Sequence, residues 1–374
     1  MEERLSAAGG EILAAVAAGV ATVTLNRPAA LNALTRPMIE ALDGWLAAWE
    51  TDPAIRVVLL EGAGDKAFCA GGDIRALREG WLAGTDEPLR FFVSEYALDH
   101  RIHRYPKPVV ANLDGIVMGG GMGISQGARL RIAGPRTRIA MPETGIGLVP
   151  DVGGTWFLPR CPGRIGRYLG LTGQSIGGVD ALAAGLVDAC AGPDELAALP
   201  RELATCAQAA DPGHAVDSLR SRLASVAPPP GELSRVRPAI DRHFAHESVE
   251  AIDGSLAHEQ DAAFADWAAK ARATLARRSP TLLKVTLAQL DRGASIGLAD
   301  AFRLELGLVL ACFEHGDILE GVRALIVDKD NAPRWNPPSL AEVSPERVAA
   351  FFAPRWTATE HPLSRLRDPQ GEPT

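Results

Sequence analysis

The sequence is poor in the features that would assign it to several large classes of protein. It holds five cysteines in 374 residues, Cys69, Cys161, Cys190, Cys206 and Cys312. They are odd in number, widely spaced and form no CxxC pair, so neither a disulfide framework nor a thiolate metal site is indicated. A reducing compartment, the cytoplasm, is the expected location. Lysine is equally scarce: Lys66, Lys107, Lys270, Lys284 and Lys329 leave arginine to supply the rest of the 38 basic side chains. Acidic residues number 46, for a net charge of −8, so the chain has no basic field with which to hold nucleic acid. Long hydrophobic runs are missing too. The apolar stretch at residues 12–21 is too short to cross a bilayer, and the opening Met-Glu-Glu lacks the positive flank of a secretory signal. Neither nucleic acid nor membrane is expected as a partner.

What is present describes a globular protein. With 47% hydrophobic and 22% charged residues, the chain can bury a core and solvate its surface, which excludes disorder, collagen and coiled coil as the main architecture. Its length exceeds one typical domain of roughly 100 to 200 residues. The first half alternates strand and helix signals. Residues 21–26 (ATVTLN), 56–61 (RVVLLE) and 108–113 (PVVANL) read as strands ending at turn residues. Residues 37–50 carry Met38, Leu42, Trp45, Leu46 and Trp49 at helical spacing. Strands separated by helices imply an α/β fold with largely parallel pairing. Residues 200–278 are Ala-rich and helical, broken at residues 228–231, and helix continues over 281–316. The polar tail after Pro362 reads as a frayed end.

Several strings suggest chemistry. Gly123, Ser125 and Gly127 match the GxSxG nucleophile elbow, but that motif needs a strand running directly into the serine. Here Ser125 falls inside a predicted helix and reads as a packing residue. The glycines at 119–123 miss the GxGxxG dinucleotide spacing by one residue. His243 and His246, three apart on a helix, read as a solvated face, since no second ligand cluster supports a metal. Glu143 and Asp151 are more informative. They lie eight residues apart across Pro142, Gly145, Gly147 and Pro150, so the backbone folds sharply between them. Two acids converging on one cavity push their pKa values apart and serve general acid and base work. The alternative is that they cap and cross-link a surface loop. The small residues of 68–73 (FCAGGD) and Gly120 at a helix start offer backbone N–H groups suited to a developing oxyanion, or they simply permit tight turns.

In order and spacing, Asn26-Arg27-Pro28 with Leu31-Asn32-Ala33-Leu34, then residues 66–74 (KAFCAGGDI), then Asp114-Gly115 with Gly119-Gly120-Gly121, resemble the crotonase (enoyl-CoA hydratase/isomerase) superfamily. The resemblance runs through residues 12–195 and resumes over 279–338. Within that superfamily, residues 141–154 (MPETGIGLVPDVGG), 320–324 (EGVRA), Asp328-Lys329-Asp330 and Phe91-Phe92 leading to Glu95-Tyr96 are most similar to the 3-hydroxyisobutyryl-CoA hydrolase branch. Enoyl-CoA hydratases carry a second catalytic Glu at the position that Gly123 occupies here, so the resemblance points away from hydration.

The resemblance implies an α/β, crotonase-like superhelix of ββα units with a helical C-terminal region. It divides the chain into a catalytic core (1–195), a helical insertion (196–278), a C-terminal helical region (279–345) and a tail (346–374). The implied activity is hydrolysis of 3-hydroxyisobutyryl-CoA, or a close short 3-hydroxyacyl-CoA, in valine catabolism. Glu143 and Asp151 would be catalytic, with Glu143 either nucleophile or general base. Gly72 and Gly120 would form the oxyanion hole, and Glu95, Ala70 and Ile74 would contact substrate. No metal and no cofactor are implied, because coenzyme A arrives as part of the substrate. The trimers and hexamers common in the superfamily allow a homo-oligomer. Another crotonase reaction such as double-bond isomerisation through Glu143 alone, non-catalytic acyl-CoA binding and a serine thioesterase using Ser125 are the rival readings.

Overall fold

The computed structural model describes residues 3–225 and 229–368. Its strands are β1 (Glu3–Ala7), β2 (Ile12–Ala17), β3 (Val20–Leu25), β4 (Val57–Gly62), β5 (Ala67–Cys69), β6 (Val109–Asn112), β7 (Ile116–Met118), β8 (Leu130–Ala133), β9 (Arg138–Ala140), β10 (Ile176–Gly177) and β11 (Ala189–Cys190). Seven form one sheet in the order β1-β2-β3-β4-β6-β8-β11, and four form a second in the order β10-β9-β7-β5. From β3 to β11 the large sheet is parallel, as the alternation of strand and helix requires. Its other edge, β1-β2-β3, is an antiparallel meander absent from the sequence reading. The turn between β2 and β3 consists of Ala18 and Gly19, both with positive φ, at 52° and 84°. That is the two-residue hairpin geometry usually signalled by Asn-Gly, and an alanine in the first position hides it.

The chain divides into two compact units, each discontinuous in sequence. One comprises Met1–Asp73, Ser94–Ile139 and Ile176–Gly231; the other comprises Ile74–Val93, Ala140–Ser175 and Glu232–Thr374. In the first unit, Val20, Val57, Leu59, Val110, Leu130, Ile132 and Ala189 make an apolar face on the large sheet. Two helices cover that face. Pro193–Gln208 contributes Leu199, Leu203, Cys206 and Ala207, and Pro212–Ala224 contributes Val216, Leu219 and Leu223, each set at the i, i+3, i+4 spacing of a buried stripe. Arg56, just before β4, donates to the carbonyls of Ala207, Ala209 and Ala210 at 2.9, 2.8 and 3.2 Å, fixing the negative end of the first of these helices. The stretch 196–278 is divided between the two units. Its beginning completes the sheet unit, and from Glu232 onward it belongs to the other. Pro228, within the predicted break, lies outside the described residues.

The second unit is built mainly of helices, including Glu232–His243, Val249–Ala257, Ala265–Leu275, Pro280–Gly293 and Leu298–His315. Two expectations fail here. His243 is not on a solvated face: it is buried, with Nδ1 2.7 Å from Ser255 Oγ and Nε2 2.7 Å from Glu259 Oε2. A histidine with both ring nitrogens engaged can be buried where a bare polar pattern suggests solvent. Nor is the tail frayed through residue 368. Phe351 and Leu363 are buried, and the Asp368 carboxylate accepts from the Ala299 amide at 3.2 and 3.0 Å. Residues 369–374, the end of the expected tail, lie outside the described residues.

Candidate active site

The first unit gathers three of the expected residues. Gly72 forms a parallel bridge with Leu34, in which Leu34 N–H donates to the Gly71 carbonyl at 2.8 Å and Asp73 N–H donates to the Leu34 carbonyl at 2.9 Å. In such a bridge the flanking residues make the bonds, so the N–H of Gly72 points away from Leu34. Gly120 is the first residue of the helix Gly120–Gln126, and a first-turn amide has no acceptor inside its own helix. A Cβ on Gly120 would stand 3.4 Å from Gly72 N and would collide with Glu95 Oε1. Only glycine allows this approach, and it brings the Gly120 backbone, the Gly72 amide and the Glu95 carboxyl together. Glu95 projects from the helix Glu87–His103 and is buried. Ala70, in the same unit, is half-buried. Ser125 is fully buried, its hydroxyl donating to Gly121 O at 2.8 Å and Met122 O at 3.1 Å, which removes it as a nucleophile.

The second unit holds the acids, and also Ile74, the half-buried first residue of the helix Ile74–Leu82. Glu143 opens a 3-10 turn, Glu143–Gly145, whose geometry is set by Ile146 and Leu148 amides donating to the Glu143 carbonyl at 2.9 and 3.0 Å. The turn is anchored by the Thr144 hydroxyl, which donates to Leu171 O at 3.0 Å. Glu143 is 4% exposed and Asp151 3%, so neither is a surface-loop cross-link. Burial holds the Glu143 carboxyl well above the usual carboxylate range. The negative charge of Asp151 adds to this, a hydrogen bond from its own amide opposes it, and Glu305 contributes in the same direction as Asp151. Glu143 Oε2 is buried without a hydrogen-bond partner among the described residues. An unsatisfied buried carboxylate oxygen costs free energy and is typical of a group that waits for water or substrate.

Glu305 was not picked out in the sequence. It lies in the helix Leu298–His315, is 0% exposed, and accepts from Gly153 N and Thr155 N, both at 2.8 Å. Burial pushes its carboxyl up to about 8 against those hydrogen bonds. A signal for it exists: Leu298, Ala301, Phe302, Leu306 and Val309 form an apolar stripe, and Glu305 falls on it. The loop it holds is strained. Val152 has φ 53° and Gly153 φ 88°; for a β-branched residue the left-handed region costs about 1 to 3 kcal/mol and persists only where its surroundings enforce it. Among the described residues, no group of three or more His, Cys, Asp or Glu side chains is arranged to hold a metal ion.

A model of the enoyl-CoA hydratase/isomerase family matches residues 20–352. The chain is 41% identical over 350 residues to the mitochondrial 3-hydroxyisobutyryl-CoA hydrolase of Danio rerio, covering 93% of this chain and 91% of the relative. It is 38% identical to the Homo sapiens protein of the same name, covering 88% and 85%. Among solved structures, a carnitinyl-CoA dehydratase from Mycobacterium thermoresistibile is 39% identical with a TM-score of 0.84, over 92% of this chain and 96% of that one. An enoyl-CoA hydratase from Rhodobacter sphaeroides is 39% identical with a TM-score of 0.83, over 92% and 98%. On sequence and fold together, the chain belongs to the enoyl-CoA hydratase/isomerase family.

Proposed function

We propose that the protein hydrolyses 3-hydroxyisobutyryl-CoA, or a close short 3-hydroxyacyl-CoA, to the free acid and coenzyme A, a step of valine catabolism. The observation that carries this reading is the buried acid pair, Glu143 and Asp151, in a chain whose position 123 is glycine. Its nearly 40% identity to hydrolases over most of their length supports it. The Gly72 and Gly120 amides polarise the thioester carbonyl and stabilise the oxyanion, a contribution worth roughly 2.7 to 4 kcal/mol for each such donor. Glu143 either removes a proton from the attacking water or attacks the carbonyl itself to form an anhydride that water then opens. Asp151 orients that water and manages its proton. Glu95 accepts a hydrogen bond from the 3-hydroxyl of the acyl group, which discriminates against acyl chains lacking it. Ala70 and Ile74 line the path of the thioester. The reaction consumes one water, releases the thiol and needs no cofactor beyond the coenzyme A of its substrate. None of the five cysteines is joined in a disulfide, which suits a reducing compartment, and we place the protein in the cytoplasm.

The names of the two solved relatives favour a second reading, addition or removal of water at a double bond. A thiol-release assay over a panel of short acyl-CoA thioesters separates the two, since hydration leaves the thioester intact. The wild type is expected to release thiol from 3-hydroxyacyl-CoA substrates, and Glu143→Gln to release none while still binding coenzyme A. Wild-type turnover in Glu143→Gln overturns the assignment of Glu143, and loss of the unsaturated thioester chromophore without thiol release overturns hydrolysis.

A further inference from the structure

Asp151 sits in a turn that its own sequence does not favour, and two buried polar side chains grip that turn from either end. After Asp151, the Glu305 carboxyl takes the Gly153 amide on Oε2 and the Thr155 amide on Oε1, each at 2.8 Å. Before Asp151, the Gln289 side-chain amide, from the helix Pro280–Gly293, donates to the Pro150 carbonyl at 2.6 Å and to Thr155 Oγ1 at 2.7 Å. Glu305, Gln289 and Thr155 are all fully buried. Packing alone does not call for this arrangement, because an apolar side chain would fill the same space without taking a carboxyl out of water. The bonds instead fix the carbonyl preceding Asp151 and two amides following it, around the left-handed pair Val152 and Gly153.

We infer that Glu305 is a positioning residue for Asp151, with Gln289 as its counterpart on the other side of the turn. Both Glu305 oxygens are engaged by backbone amides, so it acts through the turn and not on the substrate. The inference rests on the hydrolase reading of the same site, in which Asp151 must present its carboxyl to water within a fraction of an ångström.

Glu305→Gln tests it. The variant keeps the side-chain volume but replaces one acceptor oxygen with an NH2 group, which faces a backbone donor. Misplacement of a catalytic group by about 1 Å costs roughly 10²-fold in rate. The expected result is therefore a fall in kcat for thiol release of about 10- to 10²-fold, with KM held within about twofold. Amide hydrogen exchange at Gly153 and Thr155 should accelerate by about tenfold or more, while exchange in β3 and β4 stays as in the wild type. Gln289→Met should give the same split between kcat and KM, and it carries the test if Glu305→Gln does not fold. The two changes combined should cost less than the product of their separate effects, since they hold one turn. Unchanged kcat in a folded Glu305→Gln protein, or unchanged exchange at Gly153 and Thr155, overturns the proposal. If the wild type releases no thiol from any acyl-CoA, the hydrolase reading fails, and the exchange measurement alone decides whether Glu305 holds the turn.

Discussion

Glu143 must give up a proton to act, and its surroundings make that difficult. Burial is the main cause and the charge of Asp151 the second, both of which penalise the carboxylate. As nucleophile or as base Glu143 works only when ionised, so activity is present above its raised pKa and is lost as the pH falls through it. The rising limb of kcat/KM against pH should therefore have its midpoint well above 4.5, the ordinary value for a glutamate. Asp151→Asn removes the neighbouring charge, so the limb measured on its residual activity should move to lower pH. A wild-type midpoint at or below the ordinary value, or a limb that does not move in Asp151→Asn, would contradict this account. Glu143 and Asp151 are legible as candidates because glycine and proline punctuation exposes a loop that must fold back on itself, and Gly72 and Gly120 because small residues leave their backbone N–H groups open to approach. Glu305 is not, although an acid on an apolar helical stripe is a readable sign. Its partners are backbone amides some 150 residues away, and no local pattern reports them.

At the scale of the element, the helix Leu298–His315 that carries Glu305 lacks a cap of its own. Its N-cap is Gly297, which offers no side chain, and the first-turn amide of Ala299 is satisfied by Asp368 from beyond the last helix. The carboxylate also lies at the positive end of the helix. Asp368→Ala should lower stability by about 1 kcal/mol, the usual worth of an N-terminal cap, read as a shift in the urea midpoint with an unchanged slope. An unchanged midpoint would show that this cap contributes nothing to stability. The tail reads as frayed because its composition is polar and rich in proline, whereas what orders it lies far away in sequence: the Ala299 amide on Asp368, the Arg303 guanidinium on the Leu363 and Leu366 carbonyls, and burial of Leu363. The central strands were readable for the opposite reason. Residues 57–60 and 109–111 are short apolar runs bounded by turn residues, and that pattern is local. The β2-β3 hairpin escaped notice because an Ala-rich strand and an Ala-Gly turn resemble neither a strand nor a hairpin signal.

Across the whole molecule, composition reports that a segment is helical but not which core it joins, so the boundaries at 195 and 278 do not coincide with the two units. Charge is different, because its effects sum over the chain. The protein carries a net charge of −8 and buries at least two acids, Glu143 and Glu305, whose carboxyls are pushed upward. For Glu305 the folded value is about 8 against 4.5 for the free side chain, chiefly through burial. Below the lower value both folded and unfolded chains hold the proton, and its stabilising contribution is complete. Between the two values the folded chain retains a proton that the unfolded chain has released, so each rise in pH favours unfolding. The contribution is gone once the pH passes the upper value. The slope from one such group is at most one proton, about 1.4 kcal/mol per pH unit, and Glu143 acts in the same direction. Stability and catalysis therefore pull apart with pH, since the site needs Glu143 ionised and the fold is most stable with it protonated. Glu305→Gln removes one linked proton without altering the side-chain volume. Its unfolding free energy, measured by urea titration at steps from about pH 5 to about pH 8, should fall less steeply than that of the wild type by up to one proton. Parallel slopes would show that Glu305 is already ionised in the folded protein throughout that range, its two amide bonds outweighing burial.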